Sequence, residues 1–229
     1  FGRVHVNIGE PIHLNNLLNN IAPDWRELQY DDANPPAWMG ESVNDLGNRI
    51  ITHINNAAVI NPVNLLSLTL LSTSKLAMDE QALAQQLDFY LTFLRRIPYS
   101  SIAVVPNITG ADIIAYCERL EILQRQKHPL GDVLRLEEDK AMLMTYYRNN
   151  IIHMFALLSL LACLVQSNRR LTRETLTRLA QQLYPFMQTE LFIHWQDEDL
   201  PEFVQRCVEL LLEAGYLQGN ENEVWAPDA

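Results

Sequence analysis

A chain of 229 residues, 48% of them hydrophobic, suits one domain or two small ones around a sizeable core. Its net charge of −11 and pI near 4.9 argue against a broad nucleic-acid footprint, which needs positive charge to displace counterions, and against simple electrostatic docking on an anionic membrane. Cys117, Cys163 and Cys207 are odd in number, far apart and without a CxxC spacing, so buried free thiols in a reducing compartment are expected.

Val4, Val6 and Ile8 alternate with Arg3, His5 and Asn7, the period-two pattern of a half-buried strand ended by Gly9, Glu10 and Pro11. No apolar leader opens the chain, and no second strand lies nearby in sequence. An edge strand belonging to an upstream α/β domain is therefore expected, with residues 1–21 as the end of that domain and the chain as a fragment of something larger. Residues 22–41 carry Pro23, Pro35, Pro36 and Gly40 and should connect, with Trp25 and Trp38 pinning them to a surface. A first helical unit is expected over residues 42–140. Val43, Leu46, Ile50, Ile54 and Ala57 mark the apolar stripe of its first helix. Asn61 before Pro62, Asp79, and Thr109 three residues before Asp112 are helix starts, and Met78 and Leu83 have the spacing of a hydrophobic staple. A helix is predicted through IIAYCERLEILQRQ, and DVLRL is a short strand.

Residues 141–166 form the most apolar run, with neither Pro nor Gly, so a single helix buried nearly all round is predicted over 141–167. Leu143, Tyr147, Ile151, Met154 and Leu158 share one face. The clean apolar part is shorter than the roughly 20 residues of a membrane span; a membrane-embedded or interfacial element is the alternative. A second helical unit follows over 168–229. Thr172 caps a helix stapled by Leu171 and Leu176, which Pro185 should kink or split; LPEFVQRCVELLLEAGYL is amphipathic; Gly219 and Asn220 turn a hairpin.

The two units superpose. Shifts of 93 and 90 residues match Met78 with Leu171, Asp79 with Thr172, Leu83 with Leu176, Ile113 with Phe203, Cys117 with Cys207, Leu120 with Leu210 and Leu134 with Val224. Identities are few, so coincidence stays open. The order helix, helix, strand or hairpin resembles the back half of a winged helix. The fold expected is mainly α, a multi-helix domain with short strands and hairpins, as two winged-helix-like units flanking a central apolar helix. The candidate recognition helices carry as many acids as bases or more, which favours scaffold over nucleic-acid reader.

His194 and Asp199 stand at the HxxxxD spacing by which acyltransferases deprotonate an acceptor hydroxyl, but inside an acidic segment with Asp197 and Glu198, where a solvated loop is the simpler account. Arg148, Asn149 and His153 are a better candidate ligand or domain-interface group: Asn149 and His153 would be i,i+4 neighbours able to hold a phosphate or a thioester carbonyl, against the alternative of a helix end meeting a polar interface. No nucleotide, hydrolase or metalloprotease motif occurs, and neither a cofactor nor a metal is called for.

Six collinear phrases, GRVHVNIGEPI, PDWRE, PPAW, INNAAVINPVNL, MTYYRNNIIHM and LYPFMQTELF, resemble the large, membrane-associated bacterial glycerol-3-phosphate 1-O-acyltransferase over nearly the whole chain. The resemblance implies an enzyme that moves an acyl group from acyl-CoA or acyl carrier protein to the 1-hydroxyl of sn-glycerol 3-phosphate, the first step of phospholipid synthesis, at the cytoplasmic face of the bacterial inner membrane. That family's four catalytic blocks precede the strand ending in GEP, so they are not in this sequence. No catalytic residue is assigned to the chain, and it is expected to be inactive alone. Its implied partners are the upstream acyltransferase domain and, through it, the acyl donor; a membrane surface is a further one, nucleic acid is not. A paired winged-helix interaction or regulatory module without enzymatic activity is the alternative.

Overall fold

Helix starts written in the sequence punctuate the chain as short polar side chains dictate. Asn61 and Asn64 form a reciprocal capping box at the head of α3 (Pro62–Leu70), and Thr109 and Asp112 do the same for α5 (Gly110–Arg119). Asp79 accepts from the Ala82 amide to open α4 (Glu80–Arg96), and Thr172 accepts from the Thr175 amide to open α8 (Arg173–Leu191). The computed structural model describes residues 5–28 and 33–227.

Asp79 and Thr172 each end a three-residue strand that feeds a small sheet. β1 (Ala77–Asp79), β2 (Leu123–Gln126) and β3 (Val133–Leu136) pair antiparallel in the order β1-β3-β2. β4 (Arg170–Thr172), β5 (Gln218–Gly219) and β6 (Glu223–Trp225) pair antiparallel in the order β4-β6-β5. With α7 (Ile152–Asn168) and α9 (Leu200–Glu213), each unit runs helix, strand, helix, helix, strand, strand: α3-β1-α4-α5-β2-β3, then α7-β4-α8-α9-β5-β6. That is winged-helix topology twice over. The register supports the sequence superposition. Met78 sits opposite Leu134, and Leu171 sits opposite Val224. Leu83 and Leu176, like Cys117 and Cys207, are fully buried at matching places. Leu120 departs from the match, being exposed where Leu210 is buried.

The predicted helix through LEILQRQ overruns. α5 ends at Arg119, Glu121 takes a positive φ of 55°, and residues 123–126 turn into β2. In the second unit Gly215, at φ 75°, makes the same reversal, and the helix end there is legible because glycine adopts that conformation without Cβ strain. Gly110 is required for a different reason. A Cβ on it would lie 2.2 Å from the Ala84 carbonyl oxygen, so α4 and α5 cross in contact only because it is absent.

The single central helix is not what forms. α6 (Glu138–Asn149) and α7 are separate and bent by 91° at the break. Consecutive Asn149 and Asn150 offer the backbone competing hydrogen bonds, and the Asn64 side chain donates to the Tyr147 carbonyl at 2.7 Å, satisfying an oxygen that a continuing helix would have used. Among the described residues no single helix is long and apolar enough to cross a membrane. α7 is instead the shared core. Phe155 packs on Tyr90 and Phe93 of α4 at ring-centroid distances of 4.8 and 5.5 Å, while Leu157, Leu158, Leu161 and Val165 are also buried in the core that includes α8 and α9. α8 runs through Pro185 without a split.

The N-terminal part differs most from expectation. Val4 of the expected strand lies outside the described residues. Val6 and Ile8 are 80% and 95% exposed and have no ladder partner among the described residues, and a strand needs a neighbour to bond. α1 (Leu14–Ile21) buries Leu17 and Leu18 and packs on α2 (Ala37–Asn56), which begins inside the expected connector because Pro36 sits well before a first turn. Of the three cysteines, Cys163 is exposed, on the open side of α7, and only Cys117 and Cys207 are buried; burial pushes the Cys117 thiol up to about 12 and the Cys207 thiol higher, which keeps both protonated.

Gly110→Ala is expected to destabilise the chain by about 1–3 kcal/mol through the α4–α5 clash, whereas Gly40→Ala, with open space around its Cβ, should stabilise α2 by about 0.5–1 kcal/mol; urea denaturation followed by circular dichroism measures both.

Candidate functional site

Three stretches distant in sequence converge where α2 ends, α6 breaks and α8 stops. The Asn55 side chain donates to the Leu191 carbonyl at 2.8 Å and to the Phe192 carbonyl at 3.3 Å. Phe192 closes α8 in the left-handed conformation, costly for a bulky residue, and the Asn55 amide holds that end in place. The backbone carbonyl of Asn55 faces His153 Nε2 at 3.2 Å; a carbonyl only accepts, so Nε2 is the protonated nitrogen. Ser100 donates its hydroxyl to the Asn56 carbonyl. A few residues on, a parallel bridge joins Val59 to Val104, and Asn64 reaches Tyr147.

Aromatic rings fill the centre. His153 and His194 each meet Tyr99 edge-on, at centroid distances of 4.7 and 4.6 Å, and Trp195 lies 5.1 Å from Tyr99 and 4.1 Å from Phe203. Tyr184 donates its hydroxyl to the Trp195 carbonyl at 2.7 Å, and the Gln188 amide donates to the same oxygen. His153 is 2% exposed. Burial pulls its pKa down to about 4, partly opposed by the Asn55 carbonyl and aided by His194. Burial lowers His194 too, partly opposed by Asp199, and raises Tyr99 to about 12. At neutral pH the hub is therefore uncharged throughout.

The sequence-predicted residues fare differently. Arg148 and Asn149 bond each other at the surface, with Arg148 Nη2 3.0 Å from Asn149 Oδ1, while His153 turns inward. The helix break removes the i,i+4 relation between Asn149 and His153, so no hydrogen bond or ring contact joins His153 to either among the described residues. A neutral, buried imidazole that donates to a carbonyl supplies no charge to a phosphate. Its place is an interface between elements. The His194–Asp199 pair does not assemble either. Asp199 accepts from the Gln196 amide at 2.9 Å and caps a single 3-10 turn, Asp197–Asp199, and His194 Nδ1 has no hydrogen-bond partner among the described residues. In an acyl-transfer pair the carboxylate would hold that ring nitrogen. Asn55, Asn64 and Tyr99 went unpredicted, although two of them lie in the repeated asparagines of INNAAVINPVNL, polar residues where an apolar run would bury them.

A groove of about 690 Å³ opens beside the hub, lined by Val59, Pro62, Val104, Tyr116, Leu120 and Tyr147 among others, against the outer face of α5. The phrases INNAAVINPVNL, MTYYRNNIIHM and LYPFMQTELF, which carry the family resemblance, are the ones whose side chains and carbonyls bond to one another here. A family profile described as the glycerol-3-phosphate acyltransferase C-terminal region matches residues 1–228. The chain belongs to that family. It is 45% identical over 227 residues to a glycerol-3-phosphate acyltransferase of Pseudomonas fluorescens (strain SBW25), covering 99% of this chain and 27% of the relative. It is 47% identical over 218 residues to one of Ectopseudomonas mendocina (strain ymp), covering 95% and 26%, and 45% identical over 225 residues to one of Pseudomonas aeruginosa (strain UCBPP-PA14), covering 98% and 27%. This acyltransferase C-terminal region thus spans little more than a quarter of the length of the curated relatives it matches.

Because the unfolded His153 takes a proton near 6.5 and the folded one near 4, the folded state loses stability as pH falls through that window, at up to about 1.4 kcal/mol per pH unit, and His153→Phe should flatten the dependence; urea titrations between pH 7 and 4 read the slope. Asn55→Ala, which strands the α8 carbonyls, is expected to cost about 1–3 kcal/mol in the same measurement at pH 7.

Proposed function

We propose that this region is a non-catalytic accessory part of a glycerol-3-phosphate 1-O-acyltransferase, whose whole form transfers an acyl group from acyl-CoA or acyl carrier protein to sn-glycerol 3-phosphate at the cytoplasmic face of the bacterial inner membrane. The observation that carries it is the state of its one HxxxxD pair: Asp199 accepts from a backbone amide, His194 packs on aromatic rings, and no hydrogen bond joins the two among the described residues, so the carboxylate does not hold the imidazole as a base. Membership in a family named for the C-terminal region, at about 27% of the relatives' length, supports placing the chemistry in the remainder.

The winged-helix units support a scaffold role. The outer side of α9, which would be the reading face, is met by the first unit: Arg206 donates to the Arg96 carbonyl at 2.8 Å, Arg96 pairs with Glu213, and Tyr216 packs on Phe89 with centroids 4.6 Å apart. In the first unit the strand arginine, Arg125, is ringed by Glu80, Glu118 and Asp132 at 2.6, 2.8 and 2.9 Å, leaving little positive field for a phosphate backbone.

The purified 229-residue chain is expected to show no acyl transfer to glycerol 3-phosphate with either donor, and His194→Ala in the longer enzyme should leave the chemical step intact once corrected for folded fraction. Turnover by the isolated chain, lost in His194→Ala, would sink the proposal.

A further inference from the structure

α2 is turned inside out. At 100° per residue Gly40, Val43, Gly47, Ile50 and Ile54 lie on one face, and Val43, Ile50 and Ile54 are 63%, 44% and 64% exposed. The opposite face carries Ser42, Asp45, Thr52 and Asn56, and these are the buried or half-buried ones. A lone surface helix does the reverse, because exposing an aliphatic stripe forfeits its transfer free energy. The stripe has the alternating three- and four-residue steps of a helix–helix seam, and a Cβ built on Gly40 or Gly47 meets nothing within 4 Å, so a partner backbone can approach closely at both. From residue 40 to residue 54 the seam is about 21 Å long.

Building on the accessory role proposed above, we infer that this stripe is a docking seam for a helix of the acyltransferase portion that precedes this region in the longer protein. The relatives carry nearly three-quarters of their length outside the matched region, so ample chain exists to cover the stripe. In a C-terminal region that portion joins through residue 1, and the first described residues are already held at this end of the molecule: Asn7 donates to the Ala57 carbonyl, one residue past α2, at 3.0 Å. Val6 and Ile8, which flank Asn7, are themselves 80% and 95% exposed. Glu41 and Asp45 on α2, in a chain of net charge −11, disfavour an anionic bilayer as the occupant.

Maleimide labelling of Ile50→Cys tests the seam, with Cys163→Ser as background to remove the exposed native thiol of this region. Trypsin releases residues 50–75 as one peptide with no native cysteine, so mass spectrometry reads the site alone in any length of chain. Labelling is expected to be at least roughly tenfold slower in the longer protein than in the 229-residue chain, and Gly47→Leu, which fills the approach, should restore the fast rate in the longer protein without lowering the melting temperature of the isolated chain. Equal rates in both lengths overturn the seam. So does slowing that grows with concentration of the isolated chain, which makes a second copy the occupant, or slowing that appears only with lipid vesicles. Each of these outcomes leaves the assay for acyl transfer by the isolated chain untouched, so the two proposals fail separately.

Discussion

Helix ends cannot be buried unless their orphan carbonyls find donors, and this constraint organises the molecule. In the last turn of α6 Asn64 reaches the Tyr147 carbonyl; at the end of α8 Asn55 reaches the Leu191 and Phe192 carbonyls. With those ends satisfied, the chain can break at Asn150 and send α7 away at 91° as the opening helix of the second unit, with Phe155 packed on α4 of the first. A straight helix over the same residues would have carried Phe155 and Leu161 past the core they fill. The asparagines that allow the break are thus as necessary to the hydrophobic core as the leucines in it.

The two units share their register more closely than their residues. Met78–Leu134 and Leu171–Val224 are equivalent cross-strand pairs, with Leu83 and Leu176 packed beneath. Where they diverge, the surroundings account for it. Leu210 is buried among the elements of the second unit, while Leu120 stands at the mouth of the groove beside α5. The acyltransferase family to which the chain belongs has here a pair of winged helices whose charged faces are turned on each other and on their own acids.

The hub shows how a candidate site can be half legible. Its histidine stood out in an apolar run, and the phrase around it was already notable. The i,i+4 relation between Asn149 and His153 requires a continuous helix, and the break at residues 150 and 151 turns His153 inward and leaves Arg148 and Asn149 outside. The asparagine partners are not legible in the same way, because an Asn near a helix end is ordinary in sequence. Its importance lies in which distant carbonyl it meets.

Local chemistry was enough for the helix starts, the helix, helix, strand or hairpin order of both units, the hairpin at Gly219 and the repeat, because each depends on a few neighbouring residues and their periodicity. Tertiary structure alone decided three things. It ended α5 at a strained Glu121, where no glycine announced the turn. It broke the central run, because the donor that satisfies Tyr147 comes from residue 64. It put the apolar stripe of α2 in solvent, since periodicity shows that a helix has a greasy face but not which neighbour covers it.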